Sequence, residues 1–168
     1  MASDFFTIKG VSTKSNESYH LLQFDGKAEP NPGHASGAAA IFYPILTRED
    51  IQLKSPHRRI MREIGEYLDY ATNNQAEYRG LIVGLTEASA AGITEILIEG
   101  DSMLVVMQVS RRWQVKNAGL TQLWDTVQRL LQKFTYVAVR HIYRDNNSWS
   151  DCLTNEVVST KGTIWRAS

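Results

Sequence analysis

The sequence predicts an α/β fold, a mixed sheet with helices on its faces. Three observations predict it. Two apolar runs, residues 19–24 and 37–43, flank the turn signal Asn31-Pro32-Gly33 and read as a hairpin. Downstream, helical and strand patterns alternate, as they do when crossover helices join strands. No Pro/Gly-rich linker and no internal repeat divides the 168 residues, a length suited to one domain.

The elements follow in order. Residues 1–18 turn polar after Phe6 and read as a flexible tail or a weak edge element, leaving 19–168 as the single domain. The strand at 19–24 meets two turn signals, Asp25-Gly26 and Asn31-Pro32-Gly33. The partner strand at 37–43 stops at Pro44. Residues 47–59 are charged and irregular. In 60–70, Ile60, Ile64 and Leu68 fit either period, and Gly65, Tyr67 and Tyr70 favour a strand. Residues 72–91 form a helix with Tyr78, Leu81, Ile82, Leu85 and Ala88 on one face. Thr72-x-x-Gln75 opens it as a capping box, and Gly92 closes it. A short buried strand at 93–99 leads through Asp101-Ser102 to a short helix at 103–109. A second long helix spans 120–134, a strand 136–142, and a last helix 149–159.

Composition narrows the function. With 43% hydrophobic and 21% charged residues the chain reads as a soluble globular protein. One cysteine, Cys152, permits neither an internal disulfide nor a paired-cysteine zinc site. No run approaches ~18 apolar residues, and the start MASDFFTIKG resembles neither a secretory signal nor a transit peptide. The expected location is therefore cytoplasmic, or nuclear or organellar in a eukaryote. A formal net charge of zero weighs mildly against a nucleic-acid binder, although local patches matter more than the sum.

Four acids stand out, each with an ordinary explanation. Asp25-Gly26 is a turn dipeptide, yet Asn31-Pro32-Gly33 supplies a better turn. Glu77 suits the positive end of a helix, yet Gln75 already completes the cap and Glu77 lies on the face of Leu81 and Leu85. Asp101 could cap the next helix, but it also ends a buried strand, where ligands gather in α/β sheets. Asp151 could complete a box with Ser148. Taken together, these positions suggest convergence of carboxylates, which repel one another unless divalent cations neutralise them.

Phe24-Asp25-Gly26 with Asn31-Pro32-Gly33, then Thr72-Asn73-Asn74-Gln75-Ala76-Glu77, Glu99-Gly100-Asp101-Ser102, and His141-x-x-Arg144-x-x-Asn147-x-x-x-Asp151-x-Leu153 occur in that order. Together they resemble the type 1 ribonuclease H family, in its short-protrusion, reverse-transcriptase-like branch. The resemblance implies a ribonuclease H-like fold with a five-stranded mixed sheet flanked by helices, and resolves residues 60–70 as its third strand. It implies an endoribonuclease that cuts the RNA strand of RNA–DNA hybrids and leaves 5′-phosphate and 3′-hydroxyl ends. Asp25, Glu77, Asp101 and Asp151 would hold two magnesium ions, with manganese as the alternative. Glu77 would position the attacking water and the adjacent ribose 2′-hydroxyl, and His141, in a flexible loop, would assist proton transfer or product release, its ordinary reading being a histidine that finishes a strand. Gly26 matches a hybrid-contacting position, Asn31, Asn73 and Asn74 match minor-groove contacts whose ordinary readings are turn and cap asparagines, and Thr72 matches a phosphate-contacting position, its hydroxyl also serving as a helix cap. The short segment 111–117, with Arg112, Trp113 and Lys116, would contact DNA phosphates. A monomer without a protein partner or membrane attachment is expected.

Arg144 stands where some members have a second histidine, and Glu29-Pro30 makes the first turn less typical. The alternatives are a non-catalytic hybrid-binding domain of the same fold, another nuclease such as an exonuclease, or a piece of a longer polyprotein. Exonucleases of this fold usually begin with two acids one residue apart, and Lys27 occupies the second place here.

Overall fold

The computed structural model describes residues 4–45 and 58–168. The irregular stretch expected at 47–59 lies outside the described residues up to position 57. The elements are β1 (Phe6–Lys9), β2 (His20–Ala28), β3 (Gly33–Phe42), β4 (Ile60–Ala71), α1 (Asn73–Ala90), β5 (Glu95–Gly100), α2 (Met103–Val109), α3 (Ala118–Leu131), β6 (Tyr136–His141), α4 (Ser148–Thr160) and β7 (Ile164–Ala167). Among the described residues, no helix is long and apolar enough to cross a membrane.

One sheet holds all seven strands in the order β1-β6-β5-β2-β3-β4-β7. Its inner five are the expected mixed sheet. β2, β3 and β4 run as an antiparallel meander, whereas β2, β5 and β6 pair in parallel. The outer two correct the expectation of five strands. β1 pairs antiparallel with β6, and β7 with β4. So of the two readings of 1–18, a flexible tail or a weak edge element, residues 6–9 are the edge element. Phe6 and Ile8 alternate toward the main core while Thr7 and Lys9 do not, which is the period-2 signature in its shortest form.

Alternation along the inner strands divides the core. Leu22, Phe24, Ile96, Ile98, Val137 and Val139 pack under α1 and α3 with Leu81, Leu85 and Phe134. Leu21, Ala38, Ala40 and Leu97 face the other way, with Leu153 of α4. The fit of α1 to the sheet depends on glycine. A Cβ at Gly26 would collide with the backbone of Ala76 and Glu77, and one at Gly80 with the carbonyl of Asp25. Without side chains there, the helix backbone lies against the strand.

Candidate active site

Strand register brings the first two acids together. Phe24 pairs with Gly100 across β2 and β5, so Asp25 and Asp101 follow side by side. The helix contact at Gly26 delivers the third. Carboxylate oxygens of Asp25, Glu77 and Asp101 all lie within 4.8 Å of one another. Asp25 and Glu77 are only 7% and 8% exposed. Asp151, in the first turn of α4, falls outside that trio, but its charge still acts on Asp25.

None of the four performs the ordinary duty open to it. Asp25 lies within β2, and the turn comes after Ala28. The α1 cap is made by Thr72 and Gln75 in a complete box. Ser102, not Asp101, caps α2 by accepting from Val105 N. Asn147, not Ser148, occupies the N-cap of α4, and no side chain caps that helix.

The electrostatics are those of crowded, buried carboxylates. Burial first, and then the Asp101 charge, push Asp25 up to about 7. Burial also holds Glu77 well above the ordinary glutamate range, with Asp25 and Asp101 adding to it and the Arg144 charge opposing. Among the described residues, no lysine or arginine forms an ion pair with any of the four acids. Glu77 Oε2 is buried without a hydrogen-bond partner among them. Hard oxygen donors, crowded together and lacking a cation, fit a magnesium or manganese ion.

His141 keeps the strand setting read from the apolar run 136–142 and departs from the loop that the resemblance implies. It ends β6, paired with Gly100, rather than lying in a loop. The parallel ladder continues to Ile142, whose N–H donates to Gly100 O, so strand pairing holds this part of the chain. A ring nitrogen of His141 lies 3.1 Å from the Asp101 carbonyl, and Tyr143 meets the ring edge-on.

The amide residues gather beside the acids' helix. Asn31, Thr72, Asn73 and Asn74 line a cavity of about 460 Å³ with Gln75 and Asn117. Asn31 Oδ1 accepts from Asn73 N at 3.0 Å, and Asn73 Oδ1 from Ala28 N at 2.8 Å. Asn117 was not singled out as a site residue, and its only sequence signal is its place before α3, which it caps. Gly26 is placed by packing against α1. The Arg112 guanidinium lies 3.8 Å from the Phe6 ring centroid, which ties the short 111–117 segment to β1. Trp113 and Lys116 are exposed.

Comparison with known proteins agrees with this architecture. Residues 55–157 match the family model described as "Reverse transcriptase-like". A bifunctional protein of Mycobacterium tuberculosis is 34% identical over 138 residues, covering 82% of this chain and 35% of the relative. The chain therefore spans about a third of that relative's length. The solved N-terminal RNase H domain of that mycobacterial protein, a fusion with maltose binding protein, superposes with a TM-score of 0.75 at 33% identity, covering 85% of this chain and 95% of the solved one. RNase H1 from the archaeon Halobacterium salinarum gives 0.74 at 30% identity, covering 84% and 98%.

Proposed function

The chain belongs to the reverse transcriptase-like ribonuclease H family, and from that premise we propose that it is an endonuclease hydrolysing the RNA strand of RNA–DNA hybrids with two divalent ions. The observation that carries this reading is the convergence of Asp25 from within β2, Asp101 just after β5 and Glu77 from α1, with no ion pair to any of them among the described residues.

In this reading Asp25, Glu77, Asp101 and Asp151 hold the ions. Magnesium or manganese would supply Lewis-acid stabilisation of the attacking and leaving oxygens of a phosphodiester displacement. Glu77 orients the attacking water and the neighbouring ribose 2′-hydroxyl. His141 sits at the border of the site, where its imidazole exchanges a proton with the departing 3′-oxygen. The products carry 5′-phosphate and 3′-hydroxyl ends.

Substrate choice follows from the amide cavity. The side-chain oxygens of Asn31 and Asn73 are engaged by backbone N–H groups, which leaves their Nδ2 donors for substrate oxygens. Hybrid duplexes present 2′-hydroxyls and base edges in a wide minor groove, and amide donors read these without demanding one sequence. Trp113 and Lys116 extend the contact to the DNA strand, and salt weakens it.

The test is cleavage of an end-blocked, fluorescently labelled hybrid in magnesium and in manganese, with single-stranded RNA and duplex DNA as controls. Internal cuts confined to the RNA strand, absent in EDTA, are expected. Tight hybrid binding without cleavage in either metal would replace this reading with the non-catalytic binder. Failure caused only by the end block would replace it with an exonuclease.

A further inference from the structure

Asn147 breaks two local rules at once. It occupies the N-cap of α4, a position where an asparagine side-chain oxygen ordinarily accepts a helix N–H, yet it makes no such bond. Its side chain turns inward and is fully buried. There Oδ1 has no hydrogen-bond partner among the described residues, a costly state for a polar atom. Such departures are tolerated where a residue has another task.

The other half of the amide shows what that task is. Nδ2 donates to Phe24 O at 2.9 Å, which fixes which end of the amide is nitrogen, and also reaches Asp101 Oδ2 at 3.4 Å. Phe24 is the residue before Asp25. The backbone carbonyl of Asn147 accepts from Asp151 N at 3.2 Å. One residue therefore touches β2 at Phe24 just before Asp25, the carboxylate of Asp101 after β5, and the turn of α4 that carries Asp151.

We infer that Asn147 is a positioning residue for the carboxylate cluster, a brace that fixes the Asp101 carboxylate and sets α4 so that Asp151 faces the other acids. It touches neither substrate nor the reacting atoms. Groups that orient metal-binding carboxylates affect ion affinity directly, so loss of the brace shows in metal binding before it shows in folding. This inference rests on the metal-dependent reading above.

A neighbouring bond provides the control. Ser150 Oγ donates to Gln23 O at 3.0 Å and also straps α4 to β2, but it contacts none of the four acids. The experiment titrates manganese alone into the unsubstituted chain, Asn147→Ala and Ser150→Ala, with thermal melts in EDTA and hybrid-cleavage kinetics. Asn147→Ala is expected to weaken manganese binding about tenfold or more. Its kcat falls while KM for the hybrid holds. Ser150→Ala is expected to lower the melting temperature yet keep its manganese affinity. Should Asn147→Ala fail to fold, Asn147→Ser, which keeps one donor, carries the test with an intermediate loss. Manganese affinity within twofold of the unsubstituted chain in the Asn147 variants, or an equal loss in Ser150→Ala, overturns the inference and leaves the function reading standing. No manganese binding by the unsubstituted chain overturns both.

Discussion

Strand β5 and its neighbours hold two kinds of buried carboxylate, and they are treated oppositely. Glu99 is 4% exposed and fully engaged. Arg140 pairs with it, with Nε donating to Oε2 at 2.6 Å, and Gln23 donates to Oε1 at 2.9 Å. Two residues further on, Asp101 joins Asp25 and Glu77, and this group has no basic partner among the described residues. Asp25 and Glu77, at 7% and 8%, are buried nearly as deeply as Glu99, and Asp101 is half-buried, so burial does not tell the two kinds apart. Pairing does. A buried acid held in an ion pair belongs to the scaffold, whereas several acids crowded together with no ion pair among the described residues mark a place for an ion from solution.

The largest effect separates the two directly. Asp25→Asn is expected to reduce magnesium-dependent cleavage about 1,000-fold, roughly 4 kcal/mol of transition-state stabilisation. The same change relieves repulsion, so the melting temperature in EDTA at pH 8 should rise. Hybrid-cleavage kinetics and a melt on one preparation measure both. Activity within tenfold of the unsubstituted chain would erase the distinction.

Arg140→Ala probes the other side. It leaves Glu99 buried and unpaired, at an expected cost of about 3 kcal/mol. The figure is at the low end for such pairs because about a quarter of the Arg140 side chain remains accessible. Denaturant unfolding should show the loss, while manganese affinity of the folded fraction stays unchanged. The additional change Glu99→Gln should recover part of the stability, since the uncompensated charge is then gone.

The pH dependence of the metal-free chain sharpens the contrast further. Asp25, at about 7, and Glu77, also raised, both bind protons more tightly folded than unfolded. Their contribution is fully present below the unfolded value near ~4 and is lost as pH rises through about 7. In EDTA, this pair should therefore destabilise the chain by on the order of 2 kcal/mol between pH 5 and pH 8. Magnesium competes with those protons, so its stabilising effect should grow over the same interval. Melts across pH with and without magnesium test it, and a magnesium effect independent of pH would contradict the assignment.

What the sequence made legible follows the same division. The hairpin, α1 with its capping box, and the strands β5 and β6 were readable from apolar pattern and cap chemistry, whereas β4, whose Ile60, Ile64 and Leu68 fit either period, was resolved by the resemblance. Two of the acids, Asp25 and Glu77, were readable because a turn and a cap nearby already had better candidates, whereas Asp101 and Asp151 kept ordinary cap readings and joined the set through the order of the four motifs. The edge strands were not readable. Four residues such as Phe6–Lys9 or Ile164–Ala167 carry too little period to stand out, and their pairing is set by what the neighbouring strand leaves open. For His141 the apolar run 136–142 gave the strand that the ladder shows, while the loop was implied only by the resemblance. Asn147 stood only as a position of the last motif, and nothing in the sequence shows that its side chain is buried and donates to Phe24 O.

Thr72 carries the comparison to the substrate side, with the smallest effect. Its hydroxyl accepts from Gln75 N at 3.1 Å while Gln75 returns a bond to Thr72 N at 2.9 Å, so a helix cap alone accounts for the residue. It also lines the amide cavity, where the hybrid reading expects a phosphate. Thr72→Ala cannot separate the two duties, since losing the cap costs about 1 kcal/mol and disturbs the cavity as well. Thr72→Asp can. Aspartate caps at least as well as threonine and suits the positive end of the helix dipole, so stability should hold or rise slightly. A negative charge in a phosphate-binding cavity should nevertheless raise KM for the hybrid several-fold, and more steeply at low salt, where charges are least screened. If KM stays at its unsubstituted value while the fold is retained, Thr72 is a cap and the phosphate lies elsewhere.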